Sequence, residues 1–281
     1  MNISTRPVYF LHIAKCGGTT VRLCIDNLYN KEEIFPHYFT SDLHYPGVSD
    51  PSGYGLYRGH FGLALWQNRA VPERMFTWLR EPVDRILSTY YFYRQMGTLD
   101  ASISLSGWLE NLDRLENGCW PMIGWLIYGS VRLERLYSET FVKESWQAVR
   151  SGSHDGLIEQ AKKIVNQCFL IGLQHRFESS MNVLHYHLGS YPMLIHEPQN
   201  KNPIRPVKFD MTALSKQARD GLRYEAELDR EVYQHGIDQF SNQYQTMTGE
   251  LGIGDASGGC NDEEQVVRKM AKIDLLVLPF H

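Results

Sequence analysis

A chain of 281 residues can bury one sizeable core without having to split into two domains. Its 43% hydrophobic and 21% charged residues exclude the disordered and fibrous classes. A formal net charge of -4 with no long Lys/Arg run excludes the broad basic surface that nucleic-acid binding requires, so a small anionic ligand would need a local cluster of cations. In chain order, Val8 to Ile13 is rich in β-branched and aromatic residues, which predicts a strand. A glycine pair leads from it into a helix whose apolar positions are Val21, Leu23 to Ile25 and Leu28. Residues 32–55 are rich in Pro, Gly and Asp without periodicity, as expected of a surface excursion. Gly55 to His60 and Arg74 to Arg80 read as further strands. The Glu81-Pro82 step opens a helix with apolar spacing near 3.6 through Tyr90 and Tyr91.

Helices are expected around 103–112, 155–167 and 177–188, with Cys168 to Leu173 as a buried strand between the last two. A late helix is expected over 225–239. Alternating short apolar strands and amphipathic helices define an α/β fold, with a central, mostly parallel sheet flanked by helices. The expected organisation is one domain over 1–248, with acceptor-side insertions at about 32–55 and 98–150, then a linker and apolar tail over 249–281. Five scattered cysteines (Cys16, Cys24, Cys119, Cys168 and Cys260) without a CxxC pair suit reduced thiols in a cytoplasm rather than a zinc site, and no metal is expected. His185 and His187, two apart on a helix, point to different faces and make no metal pair. The apolar stretches at 8–13 and 273–280 are too short to export or anchor the chain.

The segment Phe10 to Thr20 combines a buried strand, a cation, two glycines, two hydroxyls and a helix start. Glycines let backbone N–H groups turn inward, and the helix N-terminus adds its positive dipole end, so an anion belongs there. A nucleoside-triphosphatase P-loop reads G-x-x-x-x-G-K-[ST], whereas here Lys15 precedes Gly17 and Gly18. His12-Ile13-Ala14-Lys15-Cys16-Gly17-Gly18-Thr19-Thr20 resembles instead the "HIPKTGGT" loop of the sulfotransferases dependent on 3′-phosphoadenosine 5′-phosphosulfate (PAPS), those related to heparan sulfate 2-O- and 6-O-sulfotransferases. Ala14 replaces the usual proline and Cys16 the usual threonine. The resemblance implies a fold of the P-loop-containing nucleotide-binding type, PAPS as cofactor, and Lys15, Cys16, Gly17, Gly18, Thr19 and Thr20 as its cradle.

A second segment, Phe76 to Tyr91, sets Arg80 at a strand end and Ser88 about two turns into the next helix. A planar guanidinium and a hydroxyl suit a phosphate between them. The segment is similar to the family's "R-[DE]-P-x-x-R-x-x-S-x-Y-Y", which implies that Arg80 and Ser88 hold the 3′-phosphate. The structural alternative pairs Arg80 with Glu81 or Asp84. Arg85 is expected in an ion pair at the surface.

His60 ends a strand, where sites of open α/β sheets collect, and a histidine suits proton removal near neutrality. The resemblance carries a catalytic histidine to this Gly59-His60-Phe61 position and so implies His60 as general base, with Lys15 as the cation at the bridging oxygen. His12 is expected at the sheet core or the loop above it. Phe169 to Ser180 is similar to the family's "F-[IV]-G-L-x-E-R-F-x-x-S" with His175 in place of glutamate and Arg176 retained. Residues 200–206 resemble its basic loop, which implies cofactor contacts from Arg176 and Arg205. The middle region, with Trp108, Trp120, Trp125 and Trp146, either shapes the acceptor site or packs. The expected activity is sulfuryl transfer to a hydroxyl or amine of a small-molecule or carbohydrate acceptor, as in a soluble, bacterial-type member. Two alternatives stay open: a P-loop kinase or other phosphotransferase using ATP-Mg, and a non-catalytic nucleotide-binding protein.

Overall fold

The computed structural model describes residues 7–39, 53–62, 74–111, 120–129, 154–190, 209–253 and 266. Four strands, β1 (Val8–Leu11), β2 (Leu56–Gly59), β3 (Arg74–Leu79) and β4 (Cys168–Leu173), pair in the order β2-β1-β3-β4. Every pairing is parallel, with Leu11 opposite Gly59 on one side and Thr77 on the other. The strands read as continuous apolar runs because both faces are covered, and all four residues of β1 are buried. The helices are α1 (Gly18–Asp26), α2 (Pro82–Met96), α3 (Leu105–Leu109), α4 (Met122–Tyr128), α5 (His154–Gln167), α6 (Phe177–Leu188) and α7 (Lys216–Glu250). The expected α/β architecture is therefore present.

The strand order decides where a ligand can sit. From β1 the chain moves outward to β2, then crosses back over β1 to β3, so the direction of winding reverses between β1 and β3. In an open parallel sheet the loops leaving two such strands part to opposite faces and leave a crevice at their carboxyl ends. Lys15 follows β1 and Arg80 follows β3, which brings both cations to that crevice.

Local chemistry explains most helix starts. Pro82 occupies the first turn of α2, where its missing N–H is no loss, and the Glu81 carboxylate accepts the Asp84 N–H at 2.7 Å. Ser215 caps α7 through Ala218 N–H at 3.0 Å. α7 runs for 35 residues and extends the helix expected over 225–239 in both directions. Its N-terminal half packs Leu222 and Ala226 against Ile86, Tyr90 and Trp108 of α2 and α3, and its C-terminal half lays Phe240, Tyr244 and Met247 into the main sheet core. The expected helix at 103–112 shrinks to five residues. The short α4 was not expected at all. Most of the 249–281 linker and tail lies outside the described residues, although Val266 is fully buried in the main core.

Candidate functional site

The turn after β1 is built to present backbone N–H groups. Lys15 and Gly17 both take positive φ, 66° and 89°, and Gly17 is the N-cap of α1. A left-handed residue at that point turns the chain sharply into the helix, which glycine does without a Cβ clash. No side chain caps α1, and its first turn holds no acidic residue, so the helix itself supplies nothing to neutralise its positive end. Gly18 has a second reason. A Cβ there would stand 2.0 Å from His12 Nε2, so the imidazole lies directly over the helix start.

Lys15 and Arg80 converge on this turn. Arg80 Nη1 donates to the Lys15 carbonyl at 3.2 Å, while its other Nη meets Asp84 Oδ2 at 3.5 Å. The structural alternative for Arg80 thus holds in part, but the guanidinium also ties the end of β3 to the loop. Lys15 Nζ lies 3.8 Å from the centroid of the Phe92 ring. Asp84, Ser88 and Phe92 follow one another at helical spacing on α2, so Ser88, partly exposed, sits on the strip between the residues that Arg80 and Lys15 touch. Burial, followed by the Arg80 charge, pulls the Lys15 ammonium down to about 8. Two like charges held this close favour an anion between them.

Cys16 faces the other way. Its side chain is fully buried, burial pushes the thiol up to about 12, and Arg80, Arg85 and Asp229 are among its charged neighbours. An unreactive thiol of this kind packs the loop onto the core. Only its backbone can serve the cradle. Thr19 is partly exposed and Thr20 buried in the first turn of α1.

His60 lies on the other side of β1. Its Nδ1 meets the His12 carbonyl at 2.6 Å, and since a carbonyl only accepts, Nδ1 carries the proton and Nε2 the lone pair. Burial lowers His60 to about 4, partly offset by that hydrogen bond, so the ring is neutral at physiological pH. The His12 ring is 4.3 Å from the His60 ring, centroid to centroid, and its Nδ1 contacts the Tyr38 hydroxyl at 2.5 Å. Tyr38 arrives there because residues 34–39 run along the β2 edge, bridging Ile34 to Leu56 and Phe39 to His60. Tyr38, Phe39 and Trp125 surround His60 with rings at 4.9, 5.7 and 5.0 Å.

Trp125 comes from α4, which is anchored at both ends. At its start the Asp229 carboxylate accepts the Met122 and Ile123 N–H groups at 2.8 and 3.0 Å. At its end the backbone of Gly129 packs so closely on Gly62 that a Cβ on Gly62 would fall 2.2 Å from Gly129 N. Asp229 also pairs with Arg85 Nη2 at 3.4 Å. Arg85 was expected at the surface, but it is only 2% exposed, because α7 lies over this face of α2 and supplies the buried carboxylate.

The remaining expected residues are placed less closely. Arg176 stacks on Phe240 and Tyr244 of α7, at 5.1 and 5.2 Å. Its neighbour His175 accepts or donates a 2.9 Å hydrogen bond with the Tyr233 hydroxyl, and Tyr233 in turn lies near Glu81, Cys16, Asp84 and Arg80. Arg205 lies outside the described residues, as does Trp146. His185 bonds Ser190, and His187 meets the Phe169 ring edge-on, so the two do point apart. Sequence reasoning missed Arg22, Tyr38, Phe92 and Asp229. For Arg22 a signal existed in its place one turn into the helix that follows the loop.

No protein-family model matches the chain, and comparison with curated proteins finds no match. No helix among the described residues is long and apolar enough to cross a membrane. The described geometry amounts to a pair of cations at a helix start, one of them also bonded to Asp84, beside a neutral, oriented imidazole. Such a pair can bind an anion and take a proton from a neighbouring nucleophile.

Proposed function

We propose that the chain is a sulfotransferase of the P-loop-containing nucleotide-binding type, moving a sulfuryl group from PAPS to a hydroxyl or amine of a small-molecule or carbohydrate acceptor. The observation that carries this is the meeting of Lys15 and Arg80 at the crevice between β1 and β3, with neutral His60 at the end of the adjacent strand β2. The residues fit the group: the uncapped start of α1 suits its 5′-phosphate, and Arg80 with Ser88 on the next strand-helix unit suits its 3′-phosphate. PAPS, when bound, supplies an activated sulfuryl group that leaves its phosphate oxygen as the acceptor oxygen or nitrogen attacks sulfur in line.

The chain's own residues then have separable tasks. Lys15 neutralises charge gathering on the phosphate left behind. His60 Nε2 takes the acceptor's proton. Its low basicity in the free protein rises beside a bound anion, because negative charge favours the imidazolium. The free, buried thiols of Cys16, Cys24 and Cys168 accord with a reducing, cytoplasmic setting. The kinase alternative is disfavoured because the position after the lysine holds a buried cysteine, which offers magnesium no hydroxyl.

Calorimetry with the product nucleotide, 3′-phosphoadenosine 5′-phosphate (PAP), and with ATP-Mg tests the reading. PAP is expected to bind more tightly than ATP-Mg, with Arg80→Ala removing the preference. Tighter binding of ATP-Mg would sink the sulfotransferase in favour of the phosphotransferase. Sulfuryl transfer from labelled PAPS to a panel of phenols, sugars and amines then separates an enzyme from a non-catalytic binder.

A further inference from the structure

Arg22 has no place in the functions described so far. It stands on α1 one turn beyond Gly18, with its guanidinium over the Tyr38 ring at 5.3 Å. Its Nε is shielded from solvent and has no hydrogen-bond partner. Spacing along α1 would allow a pair with Asp26, four residues on, but Asp26 is bonded to Arg58 Nε at 2.5 Å. Among the described residues no salt bridge includes Arg22. A partly buried guanidinium with an unbonded N–H is unfavourable unless a ligand supplies the missing acceptor.

Position shows which ligand that is. The Arg22 guanidinium lies over the Tyr38 ring, which flanks His60 and bonds His12 through its hydroxyl, whereas Lys15 Nζ lies over Phe92 on α2, although both cations act electrostatically on His12. Arg22 is thus on the base side of β1, separate from the Lys15/Arg80 cradle. Around His60 the walls are aromatic, from Tyr38, Phe39 and Trp125, and they suit the flat face of a ring.

We infer that Arg22 takes one oxyanion of the acceptor, so that the acceptor is a small monoacid whose ring face lies against the aromatic wall and whose hydroxyl meets His60. Among the described residues around Tyr38, Arg58 is paired with Asp26 and Arg22 has no carboxylate partner, so one net positive charge matches a single negative charge. A polyanion would need several. The inference rests on the proposed transfer reaction for the role of His60, but the charge preference itself does not.

The full chain, saturated with PAP, is titrated with two isosteric pairs: 4-hydroxybenzoate against 4-hydroxybenzamide, and methyl β-D-glucuronide against methyl β-D-glucoside. The Arg22 Nε–H and His60 ring resonances are followed by NMR. In at least one pair the acid is expected to bind about tenfold more tightly than its neutral partner, with a shift of the Nε–H signal. Whether the aryl or the sugar acid responds identifies the source of the oxyanion. Arg22→Gln should erase the preference, and Arg22→Lys should keep part of it, which a misfolded variant would not do. Equal or absent responses to acid and neutral partner, or a preference that survives Arg22→Gln, would overturn the inference. If PAP itself fails to bind, the nucleotide reading falls, and the same titrations on the free protein still decide the role of Arg22.

Discussion

The phosphate-facing and acceptor-facing halves of the candidate site are built on opposite principles. The first is made of two short, contiguous segments, 12–20 and 80–92, each a strand end running straight into a helix, joined by the strand pairing of β1 with β3 and by the contacts of Lys15 with Arg80 and Phe92. The second is assembled around His60 from β1, the 34–39 edge segment and α4, and α4 is itself held by Asp229 more than 100 residues away. A cradle of backbone and two cations tolerates change around it. An aromatic box that depends on a buried carboxylate and a close glycine contact does not.

Substitutions should therefore separate the halves. The largest effect is expected from His60→Ala, which should slow transfer from PAPS by about a hundred- to ten-thousand-fold while leaving PAP affinity intact. Turnover and calorimetry on the same preparation read both, and near-normal turnover would remove His60 as the base. Asp229→Ala should cost about 3–5 kcal/mol, because it strands the buried Arg85 charge and uncaps α4. Urea unfolding measures the loss, and a change below 1 kcal/mol, roughly that of a surface pair, would show that α4 is held by something else. Arg80→Ala should weaken PAP about tenfold or more, equivalent to a lost charge-assisted hydrogen bond, with little effect on how the acceptor box folds.

pH offers the finest contrast between the two halves. Lys15 is held near 8 in the free protein, so above that value it must regain a proton when an anion binds. PAP affinity should fall as pH rises through about 8, by no more than about tenfold per unit, and Lys15→Ala should flatten the curve. His12 and His60 are both pushed below their unfolded value of 6.5, His60 to about 4. Between those values the unfolded chain binds protons that the folded chain does not, so stability should decline as pH falls from 6.5 towards 4. Denaturant midpoints across that window would show no slope if the two imidazoles were not buried neutral.

Much of the fold was legible because the signals are local. The apolar runs of β1, β3 and β4, and the Glu81-Pro82 helix start, depend on neighbours a few residues away. The loop at Lys15 and the arginine at Arg80 were legible for the same reason. α7 starts before its expected position at 225 because Gly221 interrupts the apolar pattern there, yet that glycine lies at a close packing contact, where a Cβ would fall 2.7 Å from Leu109 O. α4 is seven residues long, too short for a periodic signal, and its start is capped by a residue distant in sequence.

The amino-acid order alone determined an α/β chain with a cationic loop before a helix and a second cation after the next buried strand, since strand and helix starts follow from side chains within a turn or two. Only the tertiary structure decided that β1 lies between β2 and β3, which places the two cations at one crevice and His60 on its flank. It also decided that Arg85 is buried, that Tyr38 reaches His12, and that Asp26 bonds Arg58 and leaves Arg22 uncompensated. Those contacts join residues between 26 and 144 positions apart, with no local signal to mark them.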